Sequence, residues 1–368
     1  MDNYRYNKIL EHLMSNINYA PKKGMIVASP SNFPPYKFHW VRDASLVMRV
    51  PIDLYRKTKD HKYLLMIFNY VENVTHIQNL ETITGIGEPK VNIDGTAFNG
   101  NWGRPQNDGP ALRALNFIHL YELLKDTYPH FCQSMIIPCL VKDVQYVMDH
   151  LYSICFDLWE EIKGWHFYTR IVQFKMLKTL IEKQSLFQRF KKIKFNKIRE
   201  NKYLLEKNLK HHMDDSEIIS SFDEAGNIMR MADSSILLGL CHVDFDSDIV
   251  NLFSKQRFMK SAQHLLGIFN EKYNTTQGFY IGRYKNDGYF DGHAWIIATC
   301  ALGQLLVFSK QEENKEKAHQ IFKHICGIDT QLLLAEQYDP INNKQYSAEK
   351  LTWNYVELYF LHKALFDQ

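Results

Sequence analysis

The chain has 368 residues, of which 45% are hydrophobic and 14% aromatic, enough apolar side chain to bury a substantial core. A net charge of +3 argues against the strongly basic surface that nucleic acid or an anionic membrane would call for. The longest apolar stretch, residues 294–308, falls short of the roughly 20 residues that a bilayer span needs. The N-terminus has no basic start followed by an apolar core, so no signal peptide is read, and the compartment stays open with a lean to the intracellular side. Six cysteines (132, 139, 155, 241, 300, 326) form no Cys-x-x-Cys pair and sit mostly in apolar runs, which reads as buried free thiols.

Apolar residues recur at helical spacing from end to end, and extended alternation is scarce, so an almost all-α protein of a dozen helices is expected. The run 4–17 comes first. The aromatic, charged segment Tyr36 to Asp43 then opens 44–57, and 61–79 follows. Gly85-Ile86-Gly87 reads as a turn, because no third glycine or following helix completes a nucleotide fingerprint. Residues 101–110 precede the runs 111–127 and 134–154. Asp157 to Glu161 precedes 166–183. The basic stretch 183–210 lies mostly within a run over 186–212 and reads as one amphipathic helix with a solvated face. His211-His212 beside Asp214-Asp215 reads as an exposed loop. Met231-Ala232-Asp233 opens 233–241, followed by 248–268. Tyr289 to Trp295 opens 294–309, apolar nearly all round as an inner helix should be, while 313–326 carries charge on one side. Leu334 to Asp339 and Ser347 to Trp353 lead into 351–366. The polar, aromatic loops near residues 42, 108, 160, 233, 291 and 349 recur every roughly fifty to seventy residues, about one helical hairpin each. Six hairpins in a ring would bring these loops to one end. No linker divides the chain, so one domain over 1–368 is expected.

Two acidic stretches carry the chemistry. Trp159-Glu160-Glu161 and Glu336-Gln337-Tyr338 each set a glutamate beside a large aromatic. A carboxyl against an aromatic wall loses hydration and holds its proton more tightly. Two such groups facing one cleft are the minimal equipment for cleaving a glycosidic bond. Adjacent helical positions point about 100° apart, so Glu160 and Glu161 are expected to take different roles. Trp40, Trp102, Trp159, Trp295 and Trp353 all fall in the polar loops, with Trp165 directly after one of them. Flat aromatics with Arg and Asp at their edges suit the apolar faces and hydroxyl rim of a pyranose. An aromatic or phosphorylated ligand would use a similar mix, although paired glutamates would repel phosphate.

The blocks Ile26-Val27-Ala28-Ser29-Pro30, Trp40-x-Arg42-Asp43, Trp102 through Ala114, Asp157 through Glu161 and Glu336-Gln337-Tyr338-Asp339 resemble, in order, the signatures of the glucoamylase catalytic domain, glycoside hydrolase family 15. The resemblance spans nearly the whole chain. It implies an (α/α)6 barrel and inverting exo-hydrolysis of α-1,4-glucans from the non-reducing end, releasing β-D-glucose. It implies Glu160 as general acid and Glu336 as general base, with Trp159 and Glu161 helping Glu160 hold its proton and Glu161 also holding the sugar on the leaving-group side. Substrate contacts implied are Tyr36, Trp40, Arg42, Asp43, Trp102, Arg104, Asp108, Trp159, Arg283, Tyr289, Trp295 and Trp353. No metal or cofactor is implied, the partner is an α-glucan or maltooligosaccharide, a monomer is expected, and no starch-binding domain is seen. Two carboxylates in opposite protonation states imply a bell-shaped pH profile with an acidic optimum. Trp165 and His166 stand where the family commonly has small hydroxyl residues beside the acid, which bears on substrate length and linkage. Asp291 and His293 stand where asparagines are usual. The competing readings are a family relative acting on dextran or trehalose, and a non-catalytic glycan-binding or regulatory protein of the same fold.

Overall fold

The computed structural model describes residues 3–276 and 278–367. Twelve helices of eight residues or more occur among them, as the periodicity predicts. In chain order they are α1 (Asn3–Ser15), α2 (Val41–Thr58), α3 (His61–Ile77), α4 (Asp108–Leu124), α5 (Ile137–His150), α6 (Phe167–Glu182), α7 (Phe195–Leu209), α8 (Ser235–His242), α9 (Lys255–Lys272), α10 (Ile296–Phe308), α11 (Glu312–Ile328) and α12 (Thr352–Phe366).

Six helices close a ring: α2 packs on α4, α4 on α6, α6 on α8, α8 on α10, α10 on α12, and α12 back on α2. The other six lie outside, with α3 against α2, α5 against α4, α7 against α6, α9 against α8, α11 against α10 and α1 against α12. The chain folds as an (α/α)6 barrel. Sequence explains the two layers. Every residue of α10 from Ile296 to Leu306 is buried, whereas α11 buries one stripe of Ala318, Ile321, Phe322, Ile325 and Cys326. The hairpin turns are also local. Lys59 adopts the left-handed conformation and donates its N–H to the Tyr55 carbonyl, ending α2, and the Asp60 side chain then accepts from Lys62 N–H to start α3.

Among the described residues, three small antiparallel sheets decorate the barrel. β1 (Phe38–Trp40) pairs with β2 (Lys90–Asn92). β3 (Cys155–Phe156), β4 (Lys163–His166), β5 (Ser221–Phe222) and β6 (Ile228–Arg230) form the second in that order. β7 (Ala294–Trp295), β8 (Gln337–Tyr338) and β9 (Gln345–Tyr346) form the third. Three of these strands run straight into inner helices, at Trp40–Val41, His166–Phe167 and Trp295–Ile296. They aim the loop side chains over the N-terminal end of the ring.

Three predicted helices are shorter or broken. The run 186–212 divides into a turn over Gln184–Phe187 and helix α7. Phe187 and Ile193 are both buried. On one continuous helix they would point about 120° apart; instead the non-helical residues 188–194 carry the chain between them. The run 248–268 breaks at Ser254, whose backbone is left-handed (φ 64°) and whose hydroxyl accepts from Arg257 N–H at the start of α9. The run 134–154 begins with a π turn at Cys132–Ile136, because Pro138 at the start of α5 offers no N–H to the turn before it. His212, expected in an exposed loop, is fully buried between Arg170 and the Ile219 carbonyl. All six cysteines are buried and free, as expected.

Candidate active site

The segments entering five of the six inner helices line one pocket of about 410 Å³. Its walls include Tyr36, Trp40, Arg42, Asp43, Trp102, Trp159, Glu160, Glu161, Arg283, Tyr289, Trp295, Glu336 and Trp353. Thirteen of the fifteen residues expected to form the site therefore meet there. The positive ends of the inner-helix dipoles converge on the same place.

Glu160 sits in a tight turn between β3 and β4. Asp157 builds the turn: its N–H donates to the Ile162 carbonyl, and its Oδ1 accepts from the N–H groups of Glu161 and Ile162. Glu160 takes a left-handed backbone (φ 67°), strain of the kind that functional sites retain. The segment is not helical, so the different directions of Glu160 and Glu161 arise from this backbone twist rather than from helical spacing. Three N–H donors converge on Glu160. Trp40 Nε1 (2.7 Å) and Gln106 Nε2 (2.8 Å) reach Oε1, and Trp102 Nε1 (2.7 Å) reaches Oε2. Arg42 lies 3.5 Å from Oε1.

Trp159 and Glu161 do not act on Glu160 as expected. The Trp159 indole donates to Asp233 (2.9 Å) and packs edge-on against Trp295. Glu161 is paired with Arg283 (2.8 Å) and Arg230 (2.6 Å) and accepts from Tyr284, so its charge is already compensated.

Glu336 precedes β8 and is 3% exposed. Its Oε1 accepts from Tyr36 (3.1 Å) and its Oε2 from Ser347, while Tyr289 links those two hydroxyls at 3.0 and 3.1 Å. Burial raises Glu336 from 4.5 to about 7, against the opposing pull of Ser347, Arg283 and Tyr36. Tyr36 and Trp40 pack 5.4 Å apart, so one aromatic pair separates the two carboxyls, each holding a different one.

Arg42 and Asp43 occupy the first turn of α2, fixed by partners behind them. Arg42 donates to Gln106 (2.7 Å) and Asp108 (3.2 Å). Burial raises Asp43 to about 6, opposed by Arg42. Asp43 Oδ2 and Arg42 Nε, ion-paired with each other at 3.5 Å, and Trp295 Nε1 are buried without a hydrogen-bond partner among the described residues. Three such groups in one pocket are matched by a ligand rich in hydroxyls, which donate and accept alike.

Two expected contacts stand outside the pocket wall. Asp108 is 1% exposed and serves Arg42 and the Gly109 N–H. Arg104 turns to Glu88 (2.8 Å) and the Gly100 carbonyl, holding the loop before α4. Trp165 and His166 also face away. Trp165 lies under Arg170 (4.7 Å), and His166 bridges Ser221 and the Cys155 carbonyl. Neither residue lines the pocket that holds Glu160. His293 stacks on Tyr346 behind the site. Sequence reasoning missed Asp287, which grips Arg283 with both oxygens (2.7 and 2.5 Å) and accepts from Tyr289 N–H. The Arg283-x-x-x-Asp287 spacing lies in a loop, where helical periodicity gives no reason to pair the two.

A profile of the family described as Glycosyl hydrolases family 15 matches residues 3–359. The chain is 32% identical over 344 residues to a glucoamylase from Blastobotrys adeninivorans, covering 82% of this chain and 53% of that protein. It is 27% identical over 390 residues to an intracellular sporulation-specific glucoamylase of Saccharomyces cerevisiae, covering 91% and 65%. The chain thus spans about half to two thirds of the length of these relatives. In three dimensions it is similar to the glucoamylase from Saccharomycopsis fibuligera, with a TM-score of 0.87 at 21% identity, covering 99% of this chain and 94% of that one. A Hypocrea jecorina glucoamylase of family 15 aligns with a TM-score of 0.87 at 23% identity over 99% of this chain and 72% of that one. These two likenesses are to the fold.

Proposed function

The chain belongs to glycosyl hydrolases family 15, and we propose from that premise that it hydrolyses α-1,4-glucans and maltooligosaccharides one glucose at a time. Glucose leaves from the non-reducing end with inversion to the β anomer. The observation that carries this reading is the placement of Glu160 and Glu336 on separate hydrogen-bond sets in one aromatic pocket.

Glu160 is the general acid in this scheme. Its Oε1 already accepts two hydrogen bonds and faces Arg42, whereas Oε2 accepts one, from the more exposed Trp102. The transferable proton therefore belongs on Oε2, from which it passes to the glycosidic oxygen. Glu336 is the general base. Ionised, it accepts from Tyr36 and Ser347 and keeps lone pairs free for the attacking water. A value near 7 makes it a strong base for a carboxylate, at the cost of requiring near-neutral pH to be charged. An inverting pair needs roughly 6.5–9.5 Å between carboxyls to admit that water. Arg42, Asp43 and Arg283 bind the hydroxyls of the terminal glucose, and the indoles of Trp159, Trp295 and Trp353 shape its walls.

A panel of maltose, isomaltose, trehalose and short dextrans, assayed for released glucose with wild type and Glu160→Gln, tests the reading. Turnover of maltose and maltotriose that is lost in the variant, while tryptophan emission still reports binding, is the expected result. Preference for an α-1,6 or α,α-1,1 linkage would replace the substrate assignment. Substantial turnover by a clean Glu160→Gln preparation would remove the acid assignment.

A further inference from the structure

Lys90 is 1% exposed, yet its ammonium is surrounded by four aromatic rings. Nζ lies 4.3 Å from the centroid of Phe38, 4.4 Å from Trp40, 4.4 Å from Phe98 and 3.1 Å from Trp102. The cage follows from register. Lys90 on β2 stands directly opposite Trp40 on β1, and Phe38, two positions earlier, shares that face. Phe98 and Trp102 close the circuit from the following loop, each ring edge-on or nearly so to the next at 5.2–6.2 Å. Aromatic faces attract a cation through their quadrupoles, and desolvation strengthens the attraction.

The cage shares its tryptophans with the acid. Trp40 Nε1 donates to Glu160 Oε1, and Trp102 Nε1 to Oε2, both at 2.7 Å. A cation on the face of an indole draws electron density from the ring and makes its N–H a stronger donor. Both indoles that hold Glu160 are polarised by the same ammonium.

We propose that Lys90 is a positioning residue for the proton-transfer step, whose charge, relayed through Trp40 and Trp102, strengthens Glu160 as an acid and orients both of its oxygens. The inference rests on the acid role given to Glu160 above. When Glu160 passes its proton to the leaving oxygen, negative charge grows on the carboxylate, and two polarised N–H groups already aimed at it meet that charge without rearrangement. The charged groups that bear on Lys90 are Glu160, Arg104 and Glu88, the last two paired with each other. Burial lowers Lys90 from 10.5 to about 8, so the device loses its charge in mildly alkaline solution.

The test has two readouts. The first is tryptophan emission of the ligand-free protein from pH 6 to 10. Wild type should show a step near pH 8 that is absent in Lys90→Met. Lys90→Arg should also lack the step, since a guanidinium stays charged throughout. That variant carries the measurement if the methionine variant does not fold. The second is the pH profile of kcat on maltose. Lys90→Met should lower kcat by roughly tenfold and move the alkaline limb up by about one pH unit, and Lys90→Arg should restore much of both. A fall in kcat with an unmoved limb would mean that Lys90 only fills the cage, and would overturn the proposal. A wild-type emission step that persists in either variant would overturn it as well. The emission titration needs no turnover, so it decides the cage even if maltose is not a substrate, in which case the catalytic reading fails separately.

Discussion

Replacing Glu336 by glutamine should stabilise the protein, and only above mildly acidic pH. The carboxyl is 3% exposed and is raised from 4.5 to about 7, with burial as the largest cause. Its contribution to stability is fully present below about 4.5 and is lost as pH rises through about 7, because the unfolded chain ionises freely while the fold resists the charge. The interval of 2.5 between those two values, at about 1.36 kcal/mol per pH unit, gives a cost of about 3 kcal/mol at pH 8. Glutamine keeps the shape, can accept from one hydroxyl and donate to the other, and removes the ionisation. For 368 residues, an unfolding entropy of about 2.1 cal/mol/K per residue converts that energy to a Tm change of about 4 °C. Thermal unfolding of both proteins from pH 4 to pH 8 is the assay. The difference should be near zero at pH 4 and about 4 °C in favour of Glu336→Gln at pH 8. An equal difference at both pH values, or a less stable variant at pH 8, would refute the reasoning. The same substitution should abolish turnover, making Glu336 a site where activity is kept at the expense of stability.

Glu336 must be charged to act as base, so kcat/KM on maltotriose should fall as pH drops below about 7, and a limb near pH 4 would place the working carboxylate elsewhere. Asp287→Ala should raise KM for maltose and cost on the order of 3–5 kcal/mol of stability, since it strands the buried Arg283 with Glu161 alone; denaturant unfolding and steady-state kinetics read the two effects. Glu336→Ala with added azide should recover part of the lost turnover and yield a glycosyl azide, and no recovery would leave the base role unsupported. Trp165→Phe should leave kcat/KM on maltose and maltotriose unchanged, because the ring packs on Arg170 away from the pocket, and a changed chain-length preference would show that reading to be wrong.

The helices were legible because burial imposes periodicity: the all-round apolar pattern of α10 and the one-sided pattern of α11 are direct consequences of inner and outer position. The pocket was legible because its aromatic and charged residues crowd into short loops spaced one hairpin apart. What escaped is what loops and strands decide. The left-handed turn at Glu160, rather than a helix, separates the two adjacent glutamates. Tertiary partners hold Trp165 and His166 away from the site they adjoin in sequence: Arg170 over the Trp165 ring, and Ser221 and the Cys155 carbonyl on the His166 imidazole. Partners brought together by tertiary packing also left no local signal: Asp287 behind Arg283, Arg230 behind Glu161, and Lys90 beneath the two tryptophans that donate to Glu160. The protonation roles drew on neighbours in sequence, whereas the groups that matter for Glu336 are Tyr36 and Ser347, one of them 300 positions away.

Proton NMR of the purified protein with maltotriose, following the anomeric signals from the first minutes, tests the central claim most directly. Early appearance of β-glucose, before mutarotation, with maltose as the other product, is the predicted result for a Glu160 acid and a Glu336 base acting on the non-reducing end. Early α-glucose would contradict it, because retention requires a covalent intermediate that this pair of roles does not provide.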